Sequence, residues 1–127
     1  MSMTDLEIVA QIEQELGVKL KPVKEIRWNT QGYVLNQEEQ ILGLGLHDCG
    51  IQDLQQIIVF LQNLSQLQSL DLSYNKISDY SFLQNLSQLQ SLDLSGNKIS
   101  DISFLQNLSQ LQSLGLSGNK ISDISFL

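Results

Sequence analysis

Leucines and polar residues recur along the second half of the chain with a period of 22 residues. Phe60–Ser81, Phe82–Ser103 and Phe104–Ser125 are consecutive near-copies. The first two differ only at Tyr74/Gly96 and Tyr80/Ile102, the last two only at Asp93/Gly115. Self-similarity at such a period marks stacked supersecondary units. Within a unit, Leu70 and Leu72 alternate with Ser69, Asp71 and Ser73, which predicts a short strand with one buried face. Stacked units set equivalent strands side by side in a parallel sheet, about 4.8 Å apart. Leu61, Leu64, Leu67 and Ile77 complete a core that one unit cannot close alone and several in a row can. Asn75, Asn97 and Asn119 are expected to turn inward, where their amides satisfy backbone groups of adjacent coils. Asp79, Asp101 and Asp123 precede a short turn on the opposite side, where a carboxylate caps free N–H groups.

The N-terminal part follows another rhythm. Thr4-Asp-Leu-Glu7 is a capping box; Ile8, Val9, Ile12 and Leu16 follow at helical spacing, and Gly17 provides the stop. Pro22 breaks the connection. Trp28-x-x-x-Gly32-Tyr-Val-Leu, a polar turn at Asn36–Glu39 and Ile41–Leu46 predict an extended segment returning antiparallel onto the first parallel strand. Residues 40–59 form a divergent copy of the repeat, Leu44-x-Leu46-x-x-Cys49-x-Ile51-x-Asp53-Leu54, with Cys49 in the asparagine position. Aligning Ile51 with Ile77 leaves four extra residues before Phe60, so Asp53–Leu61 is predicted as a helix of two to three turns.

The stretch Leu67-x-x-Leu70-x-Leu72-x-x-Asn75-x-Ile77, recurring from Leu89 and from Leu111, resembles the leucine-rich-repeat signature. The repeat length and the following Ser-Asp-Ile/Tyr-Ser are similar to the short bacterial-type repeats of internalin-like proteins. The helix and the Trp28-bearing strand resemble N-terminal caps of that family. The resemblance implies an α/β fold: a leucine-rich-repeat solenoid, wound as a right-handed superhelix with its parallel sheet on the concave side. It divides the chain into an N-terminal helix-and-hairpin cap, residues 1–39, and repeats over residues 40–127. The divergent repeat is 40–59, the near-identical ones are 60–81, 82–103 and 104–125, and no C-terminal cap is expected. Cys49 is a substitution the wider family permits. Phe82, Phe104 and Phe126 stand where related repeats often carry proline, and are expected to form an aromatic row on or beneath the convex side. By analogy, the repeats could be part of a larger bacterial signalling protein of the Roco type.

Composition narrows the partners. The chain has 127 residues, the size of one domain, and its apolar fraction of 42% is ordinary for a globular protein. Fourteen acidic and seven basic side chains give a net charge of −7. Residues 1–59 carry nine acids and four bases, residues 60–127 five acids and three bases. With no basic stripe to neutralise phosphates, neither nucleic acid nor an anionic membrane is expected as a partner. Cys49 is the only cysteine, which excludes an intrachain disulfide. Met1–Ala10 lacks the pattern of a signal peptide and no apolar run reaches spanning length, so a cytoplasmic location is expected.

Candidate chemistry is sparse. His47-Asp48-Cys49 gathers the only histidine and the only cysteine, but a nucleophile and a base so close in sequence diverge on a strand or in a turn. Cys49 is read instead as an inert thiol at the inward ladder position. Gly43-Leu-Gly45 and Gly115-Leu-Ser-Gly118-Asn-Lys120 lack phosphate-loop spacing. Gly43 and Gly45 are read as solvent-side strand positions, Gly96 and Gly118 as turn residues in the place of Tyr74. Lys76, Lys98 and Lys120 make a solvated row beside the asparagine ladder. No enzyme, no metal and no cofactor is expected.

Two surfaces remain. The resemblance implies contacts from the outward residues of the parallel strands: His47; Gln68, Ser69, Asp71, Ser73 and Tyr74; Gln90, Ser91, Asp93, Ser95 and Gly96; and Gln112, Ser113, Gly115, Ser117 and Gly118. Binding hot spots favour Trp, Tyr and Arg, which singles out Tyr74. The expected function is a non-catalytic protein–protein interaction module. The alternative is a structural or engineered repeat that pairs with its own copy, as a homodimer or larger homo-oligomer, through the last coil, where Leu111, Leu114, Leu116, Ile121 and Phe126 face water and the strand edge is unpaired.

Overall fold

The computed structural model describes residues 3–27 and 29–121. Helix α1, Asp5–Leu16, begins as its sequence dictates: Thr4 accepts a hydrogen bond from the Glu7 N–H while the Glu7 carboxylate accepts one from the Thr4 N–H. Those bonds hold the Glu7 carboxyl below its ordinary pKa. Gly17 closes the helix at φ 65°, a left-handed conformation. Ile8, Val9 and Ile12 form the buried stripe, and α1 packs against a second helix, α2, Gln55–Gln62. The predicted helix at Asp53–Leu61 thus begins two residues later and runs to Gln62. The Asp53 carboxylate accepts a hydrogen bond from the Gln55 N–H at the helix entrance.

Among the described residues six strands form one sheet in chain order: β1 Lys21–Pro22, β2 Gln31–Leu35, β3 Ile41–Leu46, β4 Ser69–Asp71, β5 Ser91–Asp93 and β6 Ser113–Gly115. The β2–β3 pair is antiparallel, as the pattern predicted, around the Asn36–Gln40 turn. From β3 to β6 every pair is parallel, in the register Gly45, Asp71, Asp93, Gly115. Strand β1 was not foreseen. Pro22 does not simply interrupt the connection; Lys21–Pro22 runs parallel to β2 at the sheet edge, where a residue without an N–H is tolerated. Gly32 permits this approach, because a Cβ there would lie 2.4 Å from the Lys21 carbonyl oxygen.

Between β4 and β5, and between β5 and β6, the connections shrink to 3-10 turns at Ser81–Asn85 and Ser103–Asn107. Asp79 and Asp101 accept hydrogen bonds from the N–H groups of Ser81 and Ser103, which lower both carboxyl pKa values. The leucines of successive coils fill the space between the sheet and these turns; Leu64, Leu67, Leu72, Leu83, Leu89 and Leu94 are fully buried. Phe82 is half-buried against this core and Phe104 is buried, stacked on Tyr80 with ring centroids 6.3 Å apart. Phe126 and Asp123 lie outside the described residues.

The asparagine ladder is a set of interlocking clamps. Asn75 donates to the carbonyls of Leu46 and Leu72 and accepts from the N–H groups of Cys49 and Ile51, all at 2.9–3.0 Å. Asn97 joins Leu72 to Leu94 and accepts from Ile77; Asn119 joins Leu94 to Leu116 and accepts from Ile99. Each amide therefore ties its own coil to the one before, satisfying backbone groups that the narrow turns leave without sheet partners.

Candidate interaction surface

The side of the sheet opposite the leucines carries the residues singled out for binding, and the structure sorts them into columns. Gln68, Gln90 and Gln112 follow one another at the strand entrances, their backbone N–H groups bonded to the carbonyls of Leu42, Gln68 and Gln90 at 2.7–2.8 Å. Ser73, Ser95 and Ser117 form a second column at the exits, their carbonyls accepting from Asp48, Tyr74 and Gly96. Asp71 and Asp93 sit opposite each other between the columns, with Gly115 next in line.

This face is less open than its sequence pattern suggested. Asp71 and Ser73 point away from the leucines yet are buried, each only 3% exposed, which corrects the expectation that they form an outer surface. The Asp71 carboxylate accepts the Ser73 N–H at 2.8 Å, and the Ser73 hydroxyl lies 2.8 Å from His47 Nδ1. Gly43 and Gly45 are likewise buried, not on the solvent side. A Cβ on Gly43 would lie 2.8 Å from Ile26 Cγ1, and one on Gly45 would lie 2.6 Å from the Thr30 carbonyl oxygen. Ile26 and Thr30 thus rest on strand β3, and the His47 N–H bonds to the Thr30 carbonyl. Ile26 and Arg27 also flank a cavity of about 200 Å³ whose floor includes Ser69, Asp71, Ser91 and Asp93. Sequence reasoning did not assign these cap residues to the face. The signal was present, since glycine alternating with leucine on a strand marks a close backbone approach.

Burial pushes the Asp71 carboxyl pKa up, and the neighbouring Asp93 adds to it; the hydrogen bonds from Ser73 and the proximity of His47 work the other way. The result is a face carrying paired carboxylates of unequal burial, Asp71 enclosed and Asp93 half-buried.

Tyr74 is the exception to the repeat. Its φ is 57°, in the left-handed region where the later copies place Gly96 and Gly118 at φ 69° and 70°. A tyrosine there costs about 1 kcal/mol or more relative to glycine. Its side chain is 55% exposed, lies over Gly96 and meets the His47 ring at 5.3 Å and 60°. Gly96 must lack a side chain for this, because a Cβ would fall 2.8 Å from the tyrosine ring.

The His47-Asp48-Cys49 cluster is taken apart by the fold. The His47 ring turns to Ser73 and Tyr74, Asp48 is exposed at φ 51°, and Cys49 is buried at the first ladder position. Burial raises the Cys49 thiol to about 11, with Asp48 and Asp71 contributing, so the unreactive protonated form prevails. Lys76, Lys98 and Lys120 are all exposed. In the last described coil Leu111, Leu114, Leu116 and Ile121 are half-buried. Phe126 lies outside the described residues.

Family comparisons agree with this architecture. A leucine-rich-repeat family model matches residues 43–99, and a second, describing two copies of the repeat, matches residues 87–127. Together they span more than half of the chain. No curated protein matches the chain in sequence. Among solved structures, the internalin inlF of Listeria monocytogenes is 35% identical, with a TM-score of 0.62, over 95% of this chain and 32% of its own. The internalin C2 of the same species is 35% identical, with a TM-score of 0.60, over 74% of this chain and 44% of its own. The chain therefore spans less than half the length of either internalin. The leucine-rich-repeat ectodomain of the Arabidopsis thaliana receptor kinase SOBIR1 shares the fold, at 23% identity and a TM-score of 0.62, over 95% of this chain and 70% of its own.

Proposed function

The chain belongs to the leucine-rich-repeat family, with repeats of the bacterial internalin type, and from that premise we propose that it is a non-catalytic module binding a protein through the open part of its concave face. Leucine-rich-repeat domains are protein-interaction modules. Tyr74 carries the reading here: it is an exposed aromatic kept at a backbone position where the neighbouring repeats use glycine. Strain retained at an exposed hot-spot residue type is a functional signature rather than a packing one. His47 meets its ring and the Ser95 carbonyl accepts its N–H, Asp93 and Gln90 offer polar groups further along the neighbouring strand, and the Ser73 hydroxyl, itself next to Asp71, holds His47.

The test is quantitative affinity capture with the native chain and with Tyr74→Gly, followed by calorimetry on any protein enriched. Tyr74→Gly is expected to weaken the partner by about 2 kcal/mol, roughly thirtyfold, with the fold intact. Identical affinities for the two chains would remove the concave face from the account.

A second reading, self-association, rests on the half-exposed Leu111, Leu114 and Leu116, whose counterparts Leu89, Leu92 and Leu94 are at most 1% exposed. Light scattering over a concentration series decides it. Concentration-dependent dimers abolished by Leu114→Lys support pairing through this coil, and a monomer throughout rejects it.

A further inference from the structure

Four of the seven basic residues fall within Lys19–Arg27, and the fold gathers them around one cavity. Lys19, Lys21, Lys24 and Arg27 line a space of about 670 Å³ on the N-terminal segment, with Val23 among them and Asn29–Gln31 forming the other wall. Leu20 explains the arrangement: it is buried, and its N–H bonds to the Glu13 carboxylate at 2.7 Å. Lys19 and Lys21, on either side of it, are both exposed. Gly32 lets this wall sit close against β2. One acidic residue, Glu25, shares the cavity, and its pair with Arg27 at 2.6 Å is solvent-exposed on both sides and hence weak. The cavity is thus a cationic site in a chain whose net charge is −7.

We propose that this pocket docks an acidic segment of a protein partner, at a site separate from the concave face. Lys19 and Lys21 are alternate residues that line one space, and an extended peptide, whose alternate side chains lie about 7 Å apart, can offer them carboxylates at every second position. Lys24 and Arg27 flank the same space, and Val23 offers an apolar contact between the charges. The volume is that of a pocket for a small molecule or short segment, not of a groove for a duplex. An extended polyanion would also meet the acidic remainder of the molecule, whereas a short acidic segment feels the local field over about one Debye length.

Fluorescence anisotropy with a labelled octapeptide of alternating glutamate and serine tests the site, using the full chain. Saturable binding that weakens with salt is expected. The combined variant Lys19→Glu, Lys21→Glu, Lys24→Glu should lose at least tenfold in affinity, while Tyr74→Gly binds the peptide as the native chain does. All three lysines are exposed, and an unchanged melting temperature would confirm that the fold is kept. A matched lysine–serine peptide should not bind. The proposal is overturned by no binding at low salt or by equal binding to the triple variant. It is also overturned if inorganic phosphate displaces the peptide at constant ionic strength, which indicates a small-anion site. Tighter binding of an RNA oligonucleotide than of the peptide would overturn it in favour of nucleic acid.

Discussion

Tyr80→Phe should stabilise this protein, the reverse of what removing a buried tyrosine hydroxyl usually does. Tyr80 is 1% exposed and its hydroxyl has no hydrogen-bond partner among the described residues, while burial pushes its pKa far above the ordinary tyrosine value. A buried, unsatisfied polar group costs about 1–3 kcal/mol, the desolvation not returned on folding. Phenylalanine keeps the ring and its stacking on Phe104 and gives up only the oxygen, whose loss leaves a small void. The net expectation is a gain of about 1 kcal/mol, or roughly 3–4 °C in melting temperature for a domain of this size. Tyr80→Ile, which copies Ile102 of the next repeat, is the control. It also removes the hydroxyl but forfeits the stacked ring and opens a cavity, and should cost about 1–3 kcal/mol. Urea unfolding of the three chains, analysed at constant slope, reads both values. If Tyr80→Phe destabilises by more than about 0.5 kcal/mol, the hydroxyl has a partner in solution, such as a buried water, and the reasoning fails.

Asn97→Ala should be among the most damaging polar truncations, about 2–4 kcal/mol in urea unfolding, because it strips partners from buried carbonyls of two coils at once. Asn119→Ala, at the half-buried rung, should cost clearly less, and equal costs would contradict the burial gradient. Asp71→Asn tests the enclosed carboxyl through pH. The folded pKa is raised, so the native state holds its proton above the pH at which the unfolded chain releases it; that contribution is present below the unfolded pKa of about 3.8 and lost as pH rises through the folded value. The variant should therefore be more stable than the native chain at pH 7 and lose that advantage at pH 3, and a difference independent of pH would refute the assignment.

The repeats were legible because periodicity is a direct image of stacking. Leu70 with Leu72, the inward Asn75 and the capping Asp79 each follow from a local spacing that the structure reproduces coil by coil. The capping box at Thr4 and the longer α2 were legible for the same reason, since caps and helix length are local properties. Strand β1 and the burial of Asp71 and Ser73 were not. Both depend on what packs against a segment, which a period of two cannot report: it says which face a side chain takes, not what lies upon that face.

That distinction bears on where a partner can sit. Ile26 lies against Gly43 and Thr30 against Gly45 of strand β3, so in the proposed reading the face left to a large ligand begins around Tyr74 and continues over β5 and β6. Across those two strands the side chains dwindle from Asp93 to Gly115, leaving an increasingly flat floor of Ser and Gln. In the proposed reading a partner approaching there would meet the exposed Tyr74, and Arg27 lines the hollow over Ser69, Asp71, Ser91 and Asp93. Arg27 also lines the cationic pocket. Arg27 thus belongs to both spaces, and under the two proposals above a partner with an acidic stretch next to a folded surface is the kind that would engage the pocket and the concave face together.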